Sequence, residues 1–216
     1  MKTEILNSET WERLYVAGRS VLKYPDSNFV TLASRLTTPD KHKRVLDYGF
    51  GTGANMIHLI SRGHVLSGAE VSSGALEIVR KLLSERGMAA DLRLVSGGKL
   101  PFADAYFDAV VAWQVLYYND WISLPQAMAE IERVLKPGGL FIGTMAAEGD
   151  ISGTEAEPLG RGVYRSHVPG QEGAIVMVLT EKQVAECFIG KQISIGRFGM
   201  SYGGKTGSHW VITYEK

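Results

Sequence analysis

Val45-Leu46-Asp47-Tyr48-Gly49-Phe50-Gly51-Thr52-Gly53-Ala54-Asn55 is the stretch that decides the fold. A short apolar run ends in an acid, then three glycines at alternating positions open into a helix-like segment. Glycine there lets a backbone turn tightly and approach a ligand closely. Such a turn, after the first strand of a parallel sheet, is where nucleotide-like cofactors sit.

The pattern around this stretch alternates. Val45 to Asp47 reads as a strand, residues 54–62 as a helix closed by Gly63, and residues 64–71 as a second strand. Residues 73–86 read as a helix with a serine start and a Gly87 stop, and residues 91–95 as a third strand. Residues 107–113 are nearly all apolar, as in a strand buried on both faces. Residues 122–135 form a helix, Pro137-Gly138-Gly139 a turn, and residues 140–145 a fifth strand. Strands alternating with helices define βαβ units and a parallel sheet. Before this core, residues 8–18 read as a helix with Trp11, Leu14 and Tyr15 at helical spacing. Tyr24-Pro25-Asp26-Ser27 stops it and caps a second helix carrying Phe29, Leu32, Ala33 and Leu36. Residues 147–175 read as a long irregular insertion with one strand near residues 163–167. Residues 175–178 read as a further short strand, and residues 180–188 as a helix capped by Thr180. Residues 192–198 and 209–214 read as an antiparallel hairpin joined by residues 199–208.

The predicted fold is therefore α/β. It has a Rossmann-like seven-stranded sheet, mostly parallel with a C-terminal antiparallel hairpin, and helices on both faces. One domain spans 1–216. Residues 1–40 are a helical lid, 41–146 the cofactor-binding core, 147–179 a substrate-side insertion, and 180–216 the last helix and hairpin.

Composition limits the function. The 216 residues carry 23 basic and 23 acidic side chains, so net charge is zero. A general nucleic-acid binder needs a basic face, so none is expected. The single cysteine, Cys187, has no intramolecular disulfide partner and reads as a small core residue. Residues 1–4 lead into no long apolar run, and no stretch reaches the roughly 18 apolar residues of a membrane span. A cytoplasmic setting without a membrane partner is the expectation.

Gly49-x-Gly51-x-x-Ala54 with Glu70 further on also fits a dinucleotide fingerprint. Asp47 weighs against it, because a carboxylate is awkward near pyrophosphate and useful against a cation. Gly53 extends the motif so that the backbone can pass beneath a bulkier group. A cofactor with a positive centre and an amino-acid end fits better.

The glycine stretch resembles motif I of class I S-adenosylmethionine-dependent methyltransferases of the small-molecule type. The resemblance continues in order through Gly68-Ala69-Glu70-Val71-Ser72, Leu100-Pro101-Phe102-Ala103-Asp104-Ala105-Tyr106-Phe107-Asp108, and Arg133-Val134-Leu135-Lys136-Pro137-Gly138-Gly139. It covers about residues 43–146. It implies S-adenosylmethionine as cofactor, with S-adenosylhomocysteine as product. Gly49, Gly51 and Gly53 would pass under the methionine part, and Asp47 would orient that end. Glu70 would accept from both ribose hydroxyls, with Val71 beside it. Ser96 and Gly97 hold the adenine position, and Trp113 and Gln114 lie beside the methionine tail. Phe50 stands where the family often has cysteine, and Ser96 where aspartate is common. Trp11 and Tyr24-Pro25-Asp26 resemble the family's lid segment, with Tyr24 closing over the cofactor.

Methyl transfer from a sulfonium is an in-line displacement that needs alignment above all. His167, as base or substrate ligand, and Tyr118 are the candidate catalytic residues, and no metal site is assigned. Arg161, Tyr164, Arg165, His167 and Tyr202 suit a small polar acceptor. The alternatives are a cofactor-binding protein of the same fold without catalysis, and an NAD-dependent oxidoreductase.

Overall fold

A computed structural model describes residues 3–96 and 98–216. The elements in chain order are α1 (Thr3–Val16), α2 (Ser27–Leu36), β1 (Arg44–Tyr48), α3 (Ala54–Ser61), β2 (Val65–Glu70), α4 (Ser73–Glu85), β3 (Asp91–Leu94), β4 (Phe107–Ala112), α5 (Ser123–Val134), β5 (Leu135–Ala147), α6 (Ile151–Thr154), β6 (Ala156–Gly160), β7 (Val163–Ser166), β8 (Ile175–Leu179), α7 (Glu181–Cys187), β9 (Ser194–Tyr202) and β10 (Lys205–Glu215).

Seven strands form the expected sheet in the order β3-β2-β1-β4-β5-β10-β9. The first five are parallel, and β10 runs antiparallel to both β5 and β9. Helices cover both faces. Met56 and Leu59 of α3 and Leu76 and Val79 of α4 pack in one core cluster. Leu124, Met128 and Ile131 of α5 and Val184 of α7 pack in the other. The chain changes face between β1 and β4, which opens a crevice at the carboxyl ends of these strands.

Three expectations are corrected. Residues 147–175 are not irregular. They hold α6, β6 and β7, and with β8 make a three-stranded antiparallel ribbon whose last strand pairs with Ala146 and Ala147 of β5. Its turn falls at Gly160, Arg161 and Gly162, all with positive φ. Pro137-Gly138-Gly139 does not precede the fifth strand but bulges from it. Pairing jumps from Phe107 with Leu135 to Ala109 with Leu140. The last hairpin is longer than expected and turns at Gly203-Gly204, both with φ above zero, as a tight two-residue turn requires.

Local signals explain the helix starts. The Asp26 carboxylate accepts from the Asn28 and Phe29 N–H groups at 2.8 and 3.0 Å. Ser72 caps α4 and Thr180 with Gln183 forms a capping box on α7. Among the described residues no helix is long and apolar enough to cross a membrane.

Two of the sequence motifs are one structural unit. The Arg133 guanidinium donates to the carbonyls of Leu100 and Phe102, both at 2.9 Å, and to the carboxylates of Asp104 and Glu130 at 2.6 and 2.7 Å. Glu130 in turn accepts the Leu100 N–H at 2.7 Å. This clamp fixes the segment leading into β4. Arg133→Met keeps the stem and removes every donor, so it should cost about 2–3 kcal/mol of stability. The urea midpoint measures this; an unchanged midpoint would mean the clamp is solvated at no cost.

Candidate functional site

Gly49, Gly51 and Gly53 have φ of 70, 52 and 77°. A Cβ at Gly49 would lie 2.3 Å from Cγ2 of Val115, at Gly51 2.8 Å from the Tyr15 hydroxyl, and at Gly53 2.9 Å from Cγ2 of Val79. Both the backbone conformation and the surroundings therefore require glycine. The loop follows β1 and opens α3.

Two carboxyl groups flank it. Asp47 is buried and its Oδ2 has no hydrogen-bond partner. Burial, with the Glu70 charge second, pushes its carboxyl up to about 7. Glu70 accepts from the backbone N–H groups of Gly51, Val71 and Ser72 at 2.9, 2.7 and 3.0 Å. Burial raises its pKa, and the three N–H groups work against that.

Beside the loop lies a cavity of about 510 Å³. Of the residues expected at the site, Gly49, Glu70, Val71, Ser96, Gln114 and Tyr118 line it. Gln114 has φ of 56° and donates its N–H to Thr144 Oγ1 at 2.7 Å, which fixes the turn after β4. Tyr118 donates its hydroxyl to Gln171 Oε1 at 3.1 Å, and burial raises its pKa well above the ordinary value. Gly51, Gly53 and Asp47 frame the loop without lining the cavity. Gly97 lies outside the described residues.

Three expected site residues are elsewhere. Trp113 does not face the cavity. Strand residues alternate between faces, and Trp113 follows Ala109 and Val111 into the cluster beneath α2 and α3. There it packs on Phe29 and Phe198 at ring distances of 5.3 and 5.4 Å. Tyr24 is 82% exposed and does not close over the cavity. Reciprocal bonds between Leu22 and Thr52, both 3.1 Å, hold its segment against the outside of the loop. His167 is exposed, and its N–H is bonded to the Glu155 carbonyl, away from the cavity lining.

The cavity is covered by α1, which contributes Trp11 and Tyr15. This helix is tied down along its length. Glu12 accepts from the Ser72 and Ser73 hydroxyls at 2.6 and 2.7 Å and from the Gly74 N–H at 3.2 Å. These groups sit at the positive end of α4 and hold the Glu12 carboxyl below its usual range. Asn7 bonds to the backbone of Tyr118 and Ile175, and Thr3 to Asp120. The spacing of Trp11 and Tyr15 reads as an ordinary core stripe, so only Trp11, through the lid resemblance, pointed to the site. Tyr15, Glu12 and Asn7 gave no such signal.

The glycine turn, the two buried carboxyl groups and the cavity at the strand reversal define a cofactor-binding α/β fold. Residues 45–139 match the family model described as a methyltransferase domain. That match falls on the same stretch as the motifs that resemble S-adenosylmethionine-dependent methyltransferases. The chain is 35% identical over 99 residues to the sterol 4-C-methyltransferase of Caenorhabditis elegans, covering 45% of this chain and 29% of that protein. It is 35% identical over 119 residues to the malonyl-[acyl-carrier protein] O-methyltransferase of Erwinia pyrifoliae, covering 55% and 43%. The chain spans less than half the length of these curated relatives. Among solved structures, the 1,6-didemethyltoxoflavin N1-methyltransferase of Burkholderia thailandensis, bound to 1,6-didemethyltoxoflavin and S-adenosylhomocysteine, aligns with a TM-score of 0.75 at 18% identity, covering 98% of this chain and 88% of that one. The [4+2]-cyclase SpnF aligns at 0.68 with 20% identity, covering 100% and 96%.

Proposed function

We propose that this protein is an S-adenosylmethionine-dependent methyltransferase acting on oxygen or nitrogen of a small polar metabolite. The observation that carries this is the unpaired, buried Asp47 carboxyl beside Glu70 at a three-glycine turn. Two buried carboxyl groups repel a pyrophosphate and suit a ligand with an ammonium at one end and a ribose diol at the other. A cavity of about 510 Å³ lies within the roughly 300–1,000 Å³ of small-molecule sites. Bound there, the cofactor supplies a methyl group on a positively charged sulfur. Glu70 holds the ribose, Asp47 balances the ammonium, Ser96 flanks the adenine, and α1 excludes water.

Calorimetry with S-adenosylmethionine and NAD(H) tests the reading. Binding of the first alone is expected; tight NAD(H) binding alone overturns it. The pH dependence is diagnostic. Below about pH 7 the Asp47 carboxyl holds a proton that a bound ammonium expels. Affinity should therefore fall up to about tenfold per unit as pH drops below 7, and level off above it. Asp47→Asn should flatten this profile. It should also stabilise the unliganded protein above pH 7. The folded carboxyl titrates some three units above the unfolded one, so stability is lost as pH rises from about 4 to about 7, on the order of 4 kcal/mol in all. Melting temperatures of parent and variant at pH 5 and pH 8 check this; equal differences at both would refute it.

A second reading is a protein of this fold without methyl transfer. The Tyr15 hydroxyl over Gly51 favours it, because it narrows the space above the loop, and one fold hosts several chemistries. Release of S-adenosylhomocysteine across a metabolite library separates the two.

A further inference from the structure

The lining of the cavity is one-sided in charge. Among the described residues no lysine, arginine or histidine lines it, and its one carboxyl group is Glu70. Asp47 lies buried behind the glycine turn. Three rings line the same space. Trp11 and Tyr15 come from α1, and Tyr118 from the segment after β4. Trp11 and Tyr15 lie 5.5 Å apart at 28°, and Trp11 meets Tyr118 at 4.9 Å and 82°. The first pair continues one wall and Tyr118 stands nearly at right angles to it, so the rings make a corner rather than a flat stack.

The rings are neutral. Burial raises the pKa of both phenols, and the Glu70 charge adds to the rise at Tyr15. A neutral ring offers a negative face. The Tyr15 hydroxyl makes no hydrogen bond among the described residues. It lies 2.8 Å from the place of a Gly51 Cβ, and the Gly51 N–H donates to Glu70 at 2.9 Å. Tyr15 therefore overhangs the stretch between Glu70 and the glycine turn. With the ribose at Glu70 and the ammonium at Asp47, that stretch takes the sulfur, the atom that joins ribose to amino-acid chain in S-adenosylmethionine.

We propose that Trp11, Tyr15 and Tyr118 form a cation-selective corner that reads the positive charge on the cofactor's sulfur. The assignment rests on the methyltransferase reading and adds to it the residues that set the balance between charged cofactor and neutral product. A cation within about 6 Å of a ring centroid is attracted by the ring quadrupole, most strongly by tryptophan and more when desolvated. S-adenosylhomocysteine lacks the charge and gains nothing from the corner. Glu70 and the glycine turn, by contrast, meet groups that both molecules carry.

Calorimetry of the full chain with each ligand tests this. The Kd for S-adenosylhomocysteine divided by that for S-adenosylmethionine cancels adenine, ribose, amino-acid tail and the position of α1, which are common to both. Leucine keeps an apolar contact and removes the π-face. Trp11→Leu should lower the ratio about tenfold and Tyr15→Leu about fivefold. Tyr15→Phe, which keeps the ring, should hold it within about twofold. Tyr15→Leu decides the matter if Trp11→Leu does not fold. A ratio that moves less than about threefold in the folded leucine variants overturns the proposal, because rings that only pack would weaken both ligands alike. A fall in Tyr15→Phe as large as in Tyr15→Leu assigns the effect to the hydroxyl and overturns it too. Binding of neither ligand to the parent protein overturns the methyltransferase reading instead.

Discussion

Replacing Glu70 with glutamine is expected to weaken S-adenosylmethionine binding about 100-fold while leaving the protein folded. The carboxylate has two oxygens, each with more than one acceptor direction. The backbone N–H groups of Val71 and Ser72 both donate to Oε1 and that of Gly51 to Oε2, which leaves the remaining direction on Oε2 for a ribose hydroxyl. Glutamine puts an amide NH₂ on one side, where it faces a backbone donor and cannot accept. A hydrogen bond to a charged group contributes about 1.5–3 kcal/mol, and losing the ribose contact at the upper end of that range is about two decades in Kd. Calorimetry reads the change, and circular dichroism checks the fold. An unchanged Kd would mean that the ribose is held elsewhere. Glu70→Ala is a poorer test, because it strands three backbone donors and damages the loop itself.

Gly49→Ala should be still more disruptive. Its φ of 70° costs an alanine about 1–2 kcal/mol. The new methyl would sit 2.3 Å from Val115 Cγ2, and such overpacking costs a further 1–3 kcal/mol. The sum, about 2–5 kcal/mol, is a large part of the stability of a domain of this size. Two comparisons separate the causes. Gly49→Ala with Val115→Ala should recover the steric part and keep the backbone part. Gly87→Ala, at φ of 63° with nothing within 4 Å, should show the backbone part alone. Urea denaturation measures all three. Equal losses for Gly49→Ala and Gly87→Ala would show that Val115 moves aside freely.

Much of the cavity lining was legible in the sequence. Gly49, Glu70, Val71, Ser96 and Gln114 stand around the cavity because each ends its strand or follows it within a residue or two. Trp113 misled because it is one residue from Gln114, and one residue along a strand is the opposite face. Tyr24 misled because a proline and a cap predict where a helix starts and say nothing about where the preceding loop lies. His167 drew attention as a histidine in a polar insertion, but that insertion folds into an antiparallel ribbon that holds it away from the cavity lining.

The sequence by itself determined the alternating α/β core, the helix caps, the three-glycine turn and the acid at the end of β2. These are written in neighbouring residues: short continuous apolar runs buried on both faces of the sheet, side chains that cap their own helix, and glycine where φ is positive. Only the tertiary structure decided that α1 roofs the cavity, that residues 156–179 make a sheet rather than a loose insertion, and that Tyr118 meets Trp11. Each of these depends on contacts between distant segments, such as Asn7 with Ile175 and Glu12 with Ser72. Their energy is set by packing and by the closing of long loops, neither of which leaves a local pattern.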